Sequence, residues 1–425
     1  MDRHRRKVWY YQGLFTSVKR VRYIIFLRDV LILTVTAFGG PQAHLVLLLK
    51  IMVEQRRYLS ERDLIELHAL CQILPGPTST QTITAIGYRI GGPKLAFLTL
   101  LVWMLPAVSI MTAVAITLSN LQEQELSLAF TRFIQPMAVG FVAYGAYTIS
   151  QKSVSTPLGV AILLVSAVVS FYIRKPYIFP VLLLVAGFIT AINYKKHQPE
   201  QKDKIVIKWG NLTLWISIFL AAAIATGFTR AVPVLLFENF YRNGSLIFGG
   251  GQVLIPLMYT EFVDFKHYLT SEEFLTGYAI VQAVPGPVFS FSAYIGSLSM
   301  RSAGFGGEIL GAFVASLGVF LPGTFLIFFM VRFWDALKKY RVIKASLEGV
   351  LAASSGMVVA AAFLLLAPLP VDTLNISFVV GTFLLLKFTK IPAPVIIIGG
   401  LLAGFLIKPK VIALIYLLPS ILPLP

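Results

Sequence analysis

One apolar stretch of this sequence is interrupted in a way that a continuous helix does not allow. Within 68–89, residues 74–82 read Leu-Pro-Gly-Pro-Thr-Ser-Thr-Gln-Thr, so two prolines flank a glycine and polar side chains follow directly. The prolines lack a backbone donor and fix φ, and Pro77 suits the first position of a new helix. In lipid, such irregular backbone survives only where protein or a watery cavity surrounds it. The segment therefore predicts a broken helix whose second half begins beside a polar cluster.

The amino-acid composition indicates whether this segment is surrounded by water or by lipid. Of 425 residues, 57% are hydrophobic and 13% are charged, whereas a soluble domain carries about a quarter charged residues. Uncharged apolar runs of roughly bilayer-spanning length occur at 95–119, 133–151, 211–229, 309–331 and 349–371. The sequence thus predicts an all-α polytopic membrane protein whose surroundings are the lipid bilayer. The net charge of +17 lies mainly in connections and near the amino terminus, as the positive-inside rule predicts, so nucleic-acid binding is not expected.

The interruption returns 210 residues later, where 285–287 again read Pro-Gly-Pro. Further identities keep the same register: Phe-Gly-Gly at 38–40 and 248–250, Gln42 and Gln252, Tyr58 and Tyr268, Gln72 and Gln282. A shared register of this length indicates an internal duplication. Paired broken helices in two repeats are typical of secondary transporters, whose ligand lies where the repeats meet. The second copy has Val-Phe-Ser at 288–290 instead of the hydroxyl run, which argues against a symmetrical site.

Charge and hydropathy divide the chain into five segments. We expect a basic cytoplasmic arm at 1–28, a first transmembrane repeat at 29–194, a Lys-rich cytoplasmic linker at 195–210, an extra transmembrane helix at 211–237 and a second repeat at 238–425. The connection after the long span is acidic in the first repeat and basic, at 332–344, in the second. Because Lys and Arg decide orientation, we expect inverted-topology repeats with broken or re-entrant helices meeting near mid-membrane, and a cytoplasmic amino terminus.

The ends of the broken helices are mainly amino-terminal, so they present backbone donors and about half a positive charge each. Two such ends would offset only about one charge of a dianion, which leaves hydrogen bonds, a basic side chain or a carried proton to supply the rest. Glycines would allow close backbone approach. The predicted substrate-binding residues are Gly39, Gly40, Gln42, Gln72, Gly76, Thr78, Ser79, Thr80, Gln81, Gly250, Gly251, Gln252, Gln282, Gly286 and Ser290.

Few ionisable residues lie near the apolar segments, and such residues are functional hypotheses by default. The proton-coupling or gating candidates are His44, Glu54, Arg89 and Asp264. A neutral packing role for His44, a capping role for the two acids and a headgroup anchor at Arg89 remain open alternatives. The single cysteine, Cys71, excludes an internal disulfide and a cysteine-based metal site. We expect no metal and no cofactor.

These motifs resemble the chromate ion transporter family in its long, two-domain form. The resemblance rests on 38–44, 54–60, 74–81 and 87–89 in the first half, and on 248–253, 268–274 and 282–287 in the second. It implies export of chromate, with sulfate as its isostere, across the cell membrane by a secondary transporter with alternating access. A passive oxyanion channel on the same fold is the alternative. An intramembrane enzyme is the weakest interpretation, because no HExxH, P-loop or paired-carboxylate motif is present. A proton as coupling ion and a homo-oligomer stay open.

Overall fold

The structure is a computed structural model that describes residues 22–38, 40–123, 131–192, 210–229, 231–248, 250–331 and 341–406. All regular secondary structure in these ranges is helical. The α-helices in chain order are α1 (22–36), α2 (Gly40–Leu48), α3 (Glu61–Ile73), α4 (Thr78–Glu123), α5 (Ile134–Ser153), α6 (Pro157–Tyr172), α7 (Ile178–Ile192), α8 (Gly210–Thr229), α9 (Val232–Gly244), α10 (Leu254–Tyr259), α11 (Ser271–Ala283), α12 (Phe291–Ser299), α13 (Gly304–Met330), α14 (Arg341–Leu366), α15 (Thr373–Phe388) and α16 (Ala393–Leu406). Short 3₁₀ or π turns occupy Leu49–Gln55, Gly251–Val253, Thr260–Phe265, Val288–Ser290 and Arg301–Ala303.

The duplication in the sequence is visible in the local backbone. α3 begins after Ser60, whose hydroxyl accepts the N–H of Asp63, and α11 begins after Thr270, whose hydroxyl accepts the N–H of Glu273. Positive φ angles recur at matching places: 52° at Arg57 and 54° at His267, 119° at Gly76 and 111° at Gly286, 70° at Gly92 and 68° at Gly304. The same turns therefore shape both halves, and α8 stands between them.

Each half contains the broken helix that the sequence predicts. In the first half, α3 ends before the Pro-Gly-Pro corner and α4 starts at Thr78; α4 itself joins two helices at Gly92, where the backbone is not helical. In the second half, α11, α12 and α13 follow the same path, with the corner at 285–287 and the second bend at Gly304. Each corner is therefore the tip of a helical hairpin, and a long helix follows it.

The described helices are those of a multi-pass membrane protein. Four of them are long and apolar enough to cross a membrane: Thr78–Gln122, Gly210–Thr229, Arg301–Met330 and Lys344–Leu366. Five further apolar helices are shorter. Large apolar side chains such as Leu184, Phe188 and Phe405 are exposed on α7 and α16, which suits a surface that faces lipid.

The two halves are interlocked by α14, which packs on α5, α6 and α7 of the first repeat. Two glycines make this close packing feasible, because a Cβ at Gly349 would lie 2.1 Å from the Ala186 oxygen and one at Gly356 would lie 2.2 Å from the Leu163 oxygen. The Thr156 hydroxyl donates to Glu348 Oε1 over 2.5 Å at the start of the same helix. Small residues that let helix backbones approach are a common basis of association in membranes.

Candidate functional site

The two Pro-Gly-Pro corners are joined to the opposite repeat by a reciprocal pair of hydrogen bonds. The N–H of Gly76 donates to the Ile247 oxygen over 2.8 Å, and the N–H of Gly286 donates to the Ala37 oxygen over 2.9 Å. Ala37 and Ile247 are themselves 210 residues apart and precede the Gly-rich segments. The two bonds are therefore the same contact made twice, once in each direction between the repeats.

Packing around the corners repeats the reciprocity. A Cβ at Gly76 would lie 3.2 Å from the Cα of Gly323 in α13, and one at Gly286 would lie 3.1 Å from the Cβ of Ala107 in α4. The first corner, 75–77, is buried, as are Gly286 and Pro287 of the second. Each corner thus sits against the long helix of the other repeat, inside the protein.

This geometry changes the expected role of Gly76 and Gly286. The sequence analysis assigns both to substrate binding through their backbone amides, but protein carbonyls already accept these N–H groups. The donors left without a backbone acceptor belong to the next turn. Because the first helical bond of α4 runs from the Gln81 N–H to the Pro77 oxygen, the N–H groups of Thr78, Ser79 and Thr80 precede the ladder and have no acceptor within the helix.

The first turn of α4 is buried, although helix ends normally meet water or a cap. Thr78 and Ser79 are 6% exposed and Thr80 is 1% exposed. The Ser79 hydroxyl has no hydrogen-bond partner. One buried turn therefore holds three backbone donors without an intrahelical acceptor and one unpartnered hydroxyl, and the helix end adds a partial positive charge of about one half. Unsatisfied donors at a buried helix start are the arrangement that binds anions elsewhere.

Gln81, the residue that follows this turn, bonds to both the corner and the opposite repeat. Its Nε2 donates to the Pro75 oxygen over 2.8 Å and to the Gly323 oxygen over 3.2 Å, so it connects the first corner with α13. Its Oε1 is buried and has no partner. Gln81 was predicted to hydrogen-bond the substrate, and the structure leaves only its oxygen available for that purpose.

A buried aromatic residue that the sequence analysis did not single out supports the same turn. The indole N–H of Trp103 donates to Thr80 Oγ1 over 3.1 Å. The opposite edge of this network is His44, whose ring meets Trp103 edge to face at 5.4 Å and whose Nε2 lies 3.2 Å from the Ala37 oxygen. Since a carbonyl only accepts, Nε2 carries the proton, and Nδ1 is buried without a partner. His44 therefore shares the Ala37 oxygen with the second corner.

The second corner brings together fewer polar groups. Ser290 Oγ and Gln282 Nε2 are buried without partners. Gly251 packs on Val288 and Phe289, since a Cβ at Gly251 would lie 3.8 Å from the first side chain and 3.6 Å from the second. A Cβ at Gly250 would meet no atom within 4 Å. Gly251 thus lies against the turn that follows the corner, where apolar side chains take the place of the hydroxyl run.

Gln252 reaches this corner in a fixed orientation. The Tyr278 hydroxyl donates to its Oε1 over 3.2 Å, so the Nε2 amide points elsewhere. From α5, Gly145 lies so close that a Cβ would be 2.6 Å from the Gln252 carboxamide. Neither Tyr278 nor Gly145 was predicted. A signal for Tyr278 was present in the sequence, because a tyrosine inside an apolar helix needs a partner for its hydroxyl.

Several predicted residues lie away from these turns. Gln72 is exposed, with its amide 3.2 Å from His68 Nε2, and Glu54 is exposed at the end of the π turn. Asp264 is half-buried in the second π turn, where its Oδ2 lacks a partner. Gly40 belongs to α2, while Gly39 and the side chain of Gln42 lie outside the described residues.

Arg89 forms an ion pair rather than facing the corner. Its Nη1 lies 2.6 Å from Asp63 Oδ1, with both side chains about two-fifths exposed (41% and 42%). The hydrogen bond from Ser60 and then the Arg89 guanidinium lower the pKa of Asp63. Arg301 pairs with Glu273 at the matching place in the second repeat. Each pair holds the start of α3 or α11 to the bend at the far end of the hairpin, so an anchoring role fits both arginines.

One buried carboxylate is not among the predicted site residues. Glu308 in α13 is 4% exposed, and its Oε1 has no partner. Within the described ranges, no group of three or more His, Cys, Asp or Glu side chains could hold a metal ion.

Two interlocked helical repeats, with a buried turn rich in hydrogen-bond donors between their broken helices, form an architecture typical of membrane transport proteins. Comparison with known proteins identifies the group. The chain belongs to the chromate transporter family, whose sequence model matches 25–192 and again 234–405. The family is one of transporters and not of enzymes, and membership supports chromate transport, an oxyanion substrate and a place in the membrane.

Relatives match along most of the chain. An uncharacterized transporter, MJ0718, of Methanocaldococcus jannaschii is 26% identical over 88% of this chain and 92% of its own length. A probable chromate transport protein of Synechococcus elongatus is 28% identical over 88% of this chain and 92% of its own length. A chromate transport protein of Cupriavidus metallidurans is 28% identical over 88% of this chain and 90% of its own length. No solved structure matches the chain significantly.

Proposed function

We propose that this protein is a secondary transporter that exports chromate, and sulfate as its isostere, across the cell membrane by alternating access. The observation that carries the proposal is the buried first turn of α4. There the N–H groups of 78–80 have no acceptor within the helix and the Ser79 hydroxyl has no partner, beside the corner that contacts the other repeat. A tetrahedral oxyanion has acceptors on every side and suits converging donors of this kind.

Hydrogen bonds carry most of the binding in this proposal. Among the described contacts of the corner residues, none involves a lysine or an arginine. The start of α4 contributes about half a positive charge, and the second corner begins with a short 3₁₀ turn at Val288–Ser290. Since burying an ion costs several kcal/mol even after relaxation, each converging donor contributes to the affinity.

The repeats are proposed to be inverted, with the amino terminus in the cytoplasm. The reciprocal bonds of Gly76 and Gly286 support a two-fold relation between the repeats. The additional helix Gly210–Thr229 supplies the odd crossing that an inverted second repeat requires. In this arrangement the corners stay joined, and the bends at Gly92 and Gly304 are the hinges about which the hairpins move relative to the long helices.

Flux into reconstituted vesicles tests the proposal. We expect chromate and sulfate to accumulate in a saturable manner, with a rate that responds to an imposed pH gradient if a proton is the coupling ion. If neither chromate nor sulfate moved at any pH, the proposal would be refuted. Non-saturable flux that follows only the anion's own gradient would instead favour a passive channel on the same fold.

A further inference from the structure

The Gln81 carboxamide is fixed by its surroundings in one orientation. Both of its hydrogen-bonded neighbours are carbonyl oxygens, of Pro75 and of Gly323. A carbonyl oxygen only accepts, so the NH₂ group must lie on that side and the amide cannot be flipped without losing both bonds. Oε1 consequently has to face away from these carbonyls, and it is buried without a donor.

An unpaired acceptor at this place conflicts with a fully deprotonated oxyanion. The neighbouring groups, which are the N–H groups of 78–80 and the Ser79 hydroxyl, all donate and would suit any oxyanion. Gln81 is 1% exposed and lies three residues after Thr78 on the same face of α4. An anion held by the first turn of α4 would therefore lie against this side chain, and the Gln81 oxygen would meet an anion oxygen as acceptor against acceptor. A buried acceptor left without a donor costs free energy in the empty and in the occupied protein.

We propose that the site takes the singly protonated form of its tetrahedral oxyanion, whose own O–H donates to Gln81 Oε1. This inference rests on the proposed function and specifies its ligand. The remaining oxygens of the anion accept from the first turn of α4. A monoanion also matches the partial positive charge that one helix end supplies better than a dianion does.

The proposal predicts a chemical basis for selectivity. Chromate takes up its proton near neutral pH, whereas sulfate does so only in strong acid. At neutral pH a useful fraction of chromate therefore carries the hydroxyl that pairs with Gln81, and practically no sulfate does, so sulfate is expected to bind more weakly than chromate. The two anions have nearly the same shape, so a site that used only donors would separate them poorly.

Titratable groups of the protein surround this turn and must be distinguished from the ligand's proton. His44 connects to it through Trp103 and Thr80, and His68 connects through Thr82, whose hydroxyl lies 3.2 Å from His68 Nδ1. Cys71 lies on the same helix as His68. In α13, which supplies Gly323, Glu308 is the sole charged side chain between Gly304 and Met330.

Equilibrium binding to the purified full-length protein, measured across pH for chromate, molybdate and sulfate, separates these sources. If the ligand carries the proton, the pH below which binding tightens will follow each anion's own proton affinity, highest for chromate and lowest for sulfate. A protein group would give the same midpoint for all three anions, and that result would overturn the inference. The variant H44N is expected to leave the order of midpoints unchanged.

Two variants of the same turn provide matched controls. S79A removes an unpartnered hydroxyl and is expected to weaken binding of all anions alike. Q81M keeps the length of the side chain but removes its acceptor together with the NH₂ group that bonds Pro75 and Gly323. We expect it to reduce the preference for chromate over sulfate by about tenfold to a hundredfold, the value of one hydrogen bond to a charged ligand. Thermal unfolding confirms that each variant is folded.

The outcomes for this inference differ from those for the proposed function. Binding of all three anions with no dependence on their protonation, or an unchanged preference in folded Q81M, would refute the protonated ligand and leave oxyanion transport standing. Absence of binding and flux for every anion at every pH would refute both.

Discussion

Replacing Gly76 with alanine tests whether the reciprocal corners hold the repeats together. The residue has a φ of 119°, which costs a side-chain-bearing residue about 1–3 kcal/mol. The added Cβ would also lie 3.0 Å from Gln81 Nε2 and 3.2 Å from the Cα of Gly323. Because the latter contact is with backbone, α13 must move, and overpacking of this kind costs about 1–3 kcal/mol. The expected total for G76A is therefore about 2–6 kcal/mol.

Gly92 offers a matched control for the first of these terms. Its φ is also positive, at 70°, but a Cβ there would meet nothing within 4 Å. G92A should therefore cost only the backbone term, and G76A should be less stable by about 1–3 kcal/mol. Thermal unfolding in detergent measures this difference, and vesicle flux reports whether G76A still transports. Equal stability of the two variants would show that the corner does not press on α13, and the interlocked-corner interpretation would then be wrong.

Three further variants test individual parts of the site. Alanines at all of 78–80 should abolish chromate flux while the fold persists, since the unpartnered Ser79 hydroxyl is lost and the turn is reshaped; normal flux would move the site elsewhere. If His44 couples protons, H44N should weaken the response of flux to an imposed pH gradient, and an unaltered response would assign His44 to packing. G145A should lower chromate affinity by displacing Gln252, whereas G381A, with open space around it, should not; equal effects would exclude this contact.

The sequence was informative where a local pattern has a direct backbone consequence. The prolines of each corner end one helix and start the next as predicted, and the register of 210 residues reappears in paired caps and paired positive φ angles. A hydropathy pattern alone also predicts a multi-pass helical protein. Inverted topology remains a prediction, because the helices carry no mark of which side of a membrane they face.

Contacts between distant residues were not predictable in this way. Nothing near Gly76 in the chain indicates that the Ile247 oxygen takes its N–H, so the sequence analysis assigned that donor to the ligand. The 210-residue register also fails to predict burial, because burial depends on the direction in which a side chain leaves its helix. Gln72 and Gln282 match in sequence, yet Gln72 is exposed while Gln282 Nε2 is buried. Trp103 became relevant only when α4 folded back on its own first turn.

The two repeats share a backbone path but differ in the side chains at their corners, and under the proposed function this difference has a mechanical consequence. Both corners make the same bond to the opposite repeat, so either hairpin can transmit a movement of its partner. The unpartnered Ser79 hydroxyl and the free N–H groups of 78–80 lie at the first corner, while Phe289 takes the place of Ser79 at the second and packs on Phe320. Under the proposed function, a ligand bound at α4 would therefore contact the first hairpin more than the second. Since a ligand shifts an equilibrium only by its differential affinity for two states, the first corner is where occupancy can bias the arrangement of the repeats.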